Sequence, residues 1–392
     1  IVKGMITAQD IQKIEIEDLL GREAVKPDPY LLKSCIDKKE VLITGCGGSI
    51  GSELTKQIIL LNPKSLILVE QSECFLYEIM QEISEIKKKY DLHTPVFSYQ
   101  GSVGDIEFMT SVFETNHIDT VYHAAANKHV PLVEQNPVAA IKTNILGTHD
   151  LAVISYKHNV ENFVLISSDK AVRPTNIMGA TKRFAEIILQ SLQDLVDALP
   201  SNVCQTKFCM VRFGNVLDTS GSVVPLFRKQ IKQGGPVTVT DSKVIRYFMT
   251  IEEASELVIQ AGSLSKGGDV FVLEMGSPVN ILSLAKKMIE LSGYEIKDKK
   301  NTLGDIEIEI TGLREGEKLY EELLIGDNVK KTIHTHIMSA VEEKLSYDEV
   351  TDFINKFRLI TATTTKSEIK KLLQDSIGSS LIPKDNVIDI QK

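Results

Sequence analysis

The chain is poor in the features that would place it outside the cell or inside a membrane. It has five cysteines, Cys35, Cys46, Cys74, Cys204 and Cys209, an odd number with no Cys-x-x-Cys pair. That excludes a disulfide framework and a zinc cluster, and implies reduced thiols in a cytosolic setting. No apolar run reaches the length of a membrane span, and no signal peptide is visible. Nor does any group of residues have metal-ligand spacing. Basic residues are outnumbered, and the net charge of −9 argues against a general nucleic-acid binder. Internal repeats are absent, and the single low-complexity tract is Thr361–Thr365. The chain begins at Ile1 rather than Met, so an upstream segment, a membrane anchor among the candidates, is expected to be missing.

What is present reads as a soluble globular protein. Apolar residues make up 43% and charged residues 25% of the 392, enough for a sizeable core and one large or two modest domains.

The first organised stretch is Lys39 to Gly51. An apolar strand runs into glycines at 45, 48 and 51, and a helix follows. Gly45 allows the tight turn, Gly48 lets the backbone approach a pyrophosphate, and Gly51 lets helix and strand pack closely. The helix amino terminus then offers free N–H groups to phosphates. A second strand, Ser65 to Glu70, ends in a carboxylate near the offset expected of the ribose-binding acid. No arginine adjoins it to receive a 2′-phosphate, so NAD is expected rather than NADP.

Strands and helices alternate from there. Strands are expected at 95–99, 120–126, 163–166 and 207–213, and helices at 73–89, 106–116 and 137–159. This predicts a parallel sheet with right-handed crossovers. The expected architecture is α/β: a Rossmann-type doubly wound parallel sheet over 39–215. A smaller mixed α/β substrate-binding domain occupies mainly 216–330, interleaved with the first. Residues 1–38 form an N-terminal appendage with modest helical periodicity over 10–20, and 331–392 a helical C-terminal segment. Candidate cofactor contacts are Thr44, Gly45, Gly47, Gly48, Ser49, Ile50, Gly51, Glu70, Ser102, Val103, Ala124, Ala125, Ala126, Asn144, Ser167 and Phe213. Ser102 and Val103 are assigned to an adenine edge, and the small residues 124–126 to a cofactor lying on the backbone.

The stretch Ser167–Lys182 sits between strand and helix, where open α/β sheets bind ligands. It brings Ser168, Asp169 and Lys170 to the carboxyl end of the fifth strand. Met178 and Lys182, four apart, share one face of the helix that follows.

Thr44–Gly51, His123–Ala126, Asn144 and Lys182 together resemble the extended short-chain dehydrogenase/reductase family. One departure is chemical. The family's Tyr-x-x-x-Lys pair is Met178-x-x-x-Lys182 here, and a thioether cannot transfer a proton. Ala126–Pro131, Ser168–Pro174, Met178–Lys182, Val211–Asn215, Arg246–Thr250 and Gly312–Lys318 are more narrowly similar to nucleotide-sugar 4,6-dehydratases of bacterial polysaccharide and glycoprotein pathways. The nearest resemblance is to the UDP-N-acetylglucosamine (UDP-GlcNAc) 4,6-dehydratases that open bacillosamine synthesis, a subgroup with Met in place of Tyr. It covers about residues 12–345, with Ser168 where Thr is expected.

That resemblance implies oxidation of the sugar at C4, loss of water across C5 and C6, return of hydride to C6, and retained configuration at C5. It implies Asp169 as acid for the C6 hydroxyl and Lys170 as base at C5. The C4 hydroxyl proton falls to Asp169, a relay through Ser168, or water. Lys182 is expected to hold the nicotinamide ribose, Asn144 to support that lysine or order water, and Met178 to pack near the sugar. Lys128 and Asn215 are expected on the substrate, and Arg246, Arg314 and Glu317 at its UDP end. His123 and His129 are expected to be structural. A homo-oligomer at the cytoplasmic face of a bacterial inner membrane is the implied setting. The rival readings are a C5-inverting dehydratase, a UDP-sugar 4-epimerase, and a catalytically silent NAD-binding sensor or scaffold.

Overall fold

The computed structural model describes residues 25–200, 204–314, 316–322 and 329–378. The helical periodicity expected over 10–20 lies outside them.

Nine strands form the main sheet: β1 Glu40–Thr44, β2 Ser65–Glu70, β3 Val96–Gln100, β4 Thr120–His123, β5 Asn162–Ile166, β6 Lys207–Arg212, β7 Asp269–Leu273, β8 Val329–Lys331 and β9 Ile337–Ala340. Their spatial order is β8-β9-β7-β6-β5-β4-β1-β2-β3. The seven from β3 to β7 are parallel, while β9 runs antiparallel to β7, and β8 to β9. The sequence reverses direction across the sheet between β1 and β4, so a crevice opens outside their carboxyl ends.

The central strands are apolar throughout because both faces are covered. In β1, Val41 and Ile43 join one core and Leu42 the other; in β2, Leu66 and Leu68 oppose Ile67 and Val69. Helices Ser49–Ile59 and Ile251–Leu264 pack on one face, and Ile177–Asp197 with the flanking Tyr347–Arg358 and Lys366–Ile377 on the other.

Two expectations need correction. The helix expected over 137–159 is interrupted: Pro137–Ala140 and Thr148–Lys157 are α-helical, but Ile141–Gly147 between them is a π-helix. Such a bulge, which commonly marks a functional site, carries Asn144. The stretch expected as a purely helical tail contains β9. Its four residues are too short to show a strand pattern, and pairing with β7 holds them.

Past Gly214 the chain divides its residues. β7 completes the main sheet, whereas Leu217, Phe227, Val237, Phe248, Leu284 and Met288 build a separate core. That smaller unit carries a three-stranded sheet of Ile296–Lys297, Ile306–Ile310 and Val237–Val239. Thr250 caps the Ile251–Leu264 helix, accepting from the Glu253 amide. No helix among the described residues is long and apolar enough to cross a membrane.

Candidate active site

Two features meet at the carboxyl edge of the sheet. The first is the glycine loop after β1. Gly45 has φ +66°, and a Cβ there would sit 2.7 Å from the Ala125 backbone. Only glycine allows that approach between the β1 and β4 loops. A Cβ on Gly51 would meet the Gly45 carbonyl at 2.0 Å, so the third glycine serves close packing. Gly48 starts the Ser49–Ile59 helix with no side chain capping it. The first-turn amides therefore stay available for an anion. Glu70 is buried at the end of β2, accepting from the amides of Gly47 at 3.2 Å and Ser72 at 3.0 Å. A carboxylate has about four lone-pair directions, so two remain for ribose hydroxyls. This loop, with the small residues Ala124–Ala126 beside it, fits a dinucleotide.

The second feature follows β5. Ser168 caps a short 3-10 turn, Asp169–Ala171, and its hydroxyl donates to Asp169 Oδ1 at 2.8 Å. Lys170 Nζ donates to the same oxygen at 3.0 Å. The other Asp169 oxygen is buried with no hydrogen-bond partner. Asn176 then caps the Ile177–Asp197 helix, accepting from Gly179. Lys182, one turn in, donates to the Ile166 carbonyl at 2.8 Å. Burial pushes its ammonium down to about 8, although Glu186 pulls the other way.

A cavity of about 340 Å³ opens over this turn, within the size range of small-molecule sites. Lys170, Lys128, Asn215, Arg246, Arg314 and Glu317 all line it, so five expected substrate contacts share one space with Lys170. Asn215 Oδ1 lies 3.4 Å from Lys170 Nζ. Arg246 donates to the carbonyls of Ile245, Lys318 and Leu319 and to Glu317 Oε1. Glu317 also accepts from Thr240 and from the Arg314 amide. These bonds shape the 312–318 loop, of which Glu315 lies outside the described residues.

Several expected cofactor residues turn their side chains elsewhere. Thr44 bonds His123 at 2.7 Å, and His123 bonds Thr148, deep in the sheet. Burial lowers the His123 pKa to about 3, which fits a neutral structural residue. Val103 is buried in the core, and a Cβ on Gly147 would lie 3.2 Å from its Cγ2. The Ser167 hydroxyl donates to Glu186 at 2.6 Å. Asn144 bonds the Asn127 backbone and the Thr181 hydroxyl, not Lys182. The π-helix aims it at the β4 loop. Phe213 is buried and offers only its carbonyl, to the Asp169 amide. Met178, 2% exposed, belongs to the core. Ser102 accepts from the Gly104 amide at the rim.

Sequence reasoning missed three parts. Glu321, 5% exposed at its side chain, lies 3.5 Å from Lys170 Nζ. Thr175 and Asn176 both donate to the Gly316 carbonyl, tying the two loops together; an asparagine before an apolar helix start is a cap signal that could have been read. Beneath the turn, Arg212 joins Glu186 and Glu342, and Arg183 joins the same two carboxylates. Burial alone would raise the Glu186 carboxyl, but Arg212 and Arg183 hold it below the usual range.

A family model described as "Polysaccharide biosynthesis protein" matches residues 41–342. The chain belongs to this polysaccharide biosynthesis family. Within it, the chain is 44% identical over 382 residues to the capsular polysaccharide biosynthesis protein CapD of Staphylococcus aureus, covering 97% of this chain and 57% of that protein. To the probable polysaccharide biosynthesis protein EpsC of Bacillus subtilis it is 49% identical over 322 residues, 82% of this chain and 51% of that one. The chain thus spans about half the length of these two relatives. A UDP-glucose 4-epimerase of Rickettsia canadensis is 33% identical over 294 residues, 75% of this chain and 80% of that one. Among solved structures, Pen from Bacillus thuringiensis superposes with a TM-score of 0.69 at 31% identity, over 83% of this chain and 99% of that one.

Proposed function

We propose that this member of the family is a C5-retaining UDP-GlcNAc 4,6-dehydratase that uses NAD. The observation that carries the reading is Lys170 on the wall of a cavity that also holds Arg246, Arg314 and Glu317, with the buried Asp169 carboxylate joined to its ammonium at 3.0 Å. Two arginines suit a diphosphate, and a carboxylate suits ribose hydroxyls. NAD would be held by the glycine loop, Glu70 and Lys182, and when bound it supplies a hydride acceptor that becomes a hydride donor.

The residues supply the proton chemistry. Ser168 donates to Asp169, so a C4 hydroxyl meeting Ser168 Oγ passes its proton along that line to the carboxylate. That C4 proton is the one the carboxyl then gives to the departing C6 hydroxyl. Lys170, joined to Asp169 at 3.0 Å, acts as the amine after giving its own proton to solvent: it takes the C5 proton and returns one to C5 as hydride reaches C6. General acid–base help of this kind contributes roughly 10²–10⁴-fold in rate. Met178 leaves no phenol at the helix start, which makes the Ser168 line the route the geometry favours.

A second reading, a UDP-sugar 4-epimerase, is favoured by the Rickettsia relative. Proton NMR of the product from UDP-GlcNAc separates the two. A dehydratase gives a 6-methyl-4-keto sugar with gluco-like C5; an epimerase leaves C6 untouched.

A further inference from the structure

Glu321 holds a place no motif announced. Its carboxylate is buried on the cavity wall, with Oε1 3.5 Å from Lys170 Nζ and 3.8 Å from Arg246 Nε. The other oxygen, Oε2, is buried with no hydrogen-bond partner. Burying a carboxylate with an unmet oxygen costs stability, and a group kept at such a position calls for a role.

An ammonium has three protons to direct. Around Lys170 Nζ stand three oxygens, each from a different part of the chain: Asp169 Oδ1 at 3.0 Å, Asn215 Oδ1 at 3.4 Å and Glu321 Oε1 at 3.5 Å. The 3-10 turn supplies the first, the residue after Gly214 the second, and the loop beyond Gly316 the third. Arg246 is the cation facing the same group.

We infer that Glu321 is a positioning residue for the proposed dehydration: it closes the third side of the cage around Lys170 and ties the proton-handling pair to the arginine side of the cavity. This inference rests on the dehydratase reading. Burial works against the Lys170 charge, but Asp169 and Glu321 outweigh it and hold the ammonium above its ordinary range. Glu321 therefore tunes as well as aims the pair.

The test is the pH dependence of kcat for UDP-GlcNAc turnover in wild type, E321Q and E321D. Gln keeps the shape and removes the charge; Asp keeps the charge. In E321Q the acid limb, where a second proton enters the Asp169–Lys170 pair, moves to lower pH by about one unit. Its plateau kcat falls about tenfold as Lys170 loses its fixed direction. E321D keeps the wild-type limb. The limb position does not depend on the fraction of folded enzyme, so a poorly folding variant still reports. Wild-type turnover with an unmoved E321Q limb overturns the inference alone. A wild type that makes no 4-keto product overturns the dehydratase reading, and the inference with it.

Discussion

Lys170 Nζ stands 3.0 Å from Asp169 Oδ1, and these two consecutive residues leave the end of β5 with their charged ends joined. In the proposed dehydration the contact matters because it places a carboxyl and an amine side by side, one to serve as acid and the other as base for the elimination.

Removing either partner separates the roles. Asp169→Asn leaves no carboxyl to deliver the proton to C6, and Lys170→Ala leaves no amine at C5. Each substitution is expected to lower kcat by roughly 10²–10⁴-fold, with a smaller change in UDP-GlcNAc affinity. Steady-state kinetics with titration calorimetry checks this, and near-wild-type turnover in both variants would remove the pair from the chemistry.

If Lys182 holds the nicotinamide ribose as proposed, it is expected to set an alkaline boundary on cofactor binding. Its folded-state pKa of about 8 lies below the ordinary lysine value of 10.5. On unfolding the lysine regains its proton in that window, so its contribution to stability rises as pH climbs from about 8 to 10.5. Cofactor binding goes the other way, because the charge that would hold the ribose is lost above about 8. NAD retention measured by fluorescence between pH 7 and 10 is expected to fall through that point. In K182R, whose guanidinium stays charged, the fall is expected to disappear.

Glu70 braces Gly47 and is proposed to face the ribose as well. Glu70→Ala is expected to weaken NAD more than NADP, since the lost carboxylate both accepts hydroxyls and repels a 2′-phosphate. Equal losses for both cofactors, measured by calorimetry, would leave it the bracing role alone.

The glycine loop and Glu70 were legible because their spacing is local: strand, turn and helix within about thirty residues. The Asp169–Lys170 turn was legible for the same reason. Glu321 was not, since 151 residues separate it from Lys170 and only the tertiary fold brings them together. Asn144 was expected to support Lys182 or order water; it lies on a π-helix that no local pattern announces, and its hydrogen bonds run to Asn127 and Thr181. Thr44 closes β1 and Ser167 follows β5, and their hydroxyls bond His123 and Glu186, partners that lie too far along the chain for a local pattern to reveal. That β7 joins the main sheet depends on its pairing with β6, which no local pattern encodes.

The ion network beneath the turn offers a stability test. Arg212 is 1% exposed and Glu186 fully buried, 2.6 Å apart. Arg212→Met leaves Glu186 with Arg183 as its remaining partner in the network and is expected to cost about 3 kcal/mol, the low end for a broken buried pair. Urea unfolding checks it; a loss under 1 kcal/mol would show that the network carries little.

Turnover of UDP-GlcNAc in deuterium oxide without added cofactor, followed by proton NMR, probes the dehydration most directly. Elimination through Asp169 and Lys170 replaces the C5 hydrogen from solvent. The new C6 methyl group is therefore expected as a singlet beside a deuterated C5. A C6 hydroxymethyl pattern identical to the starting sugar would contradict the account.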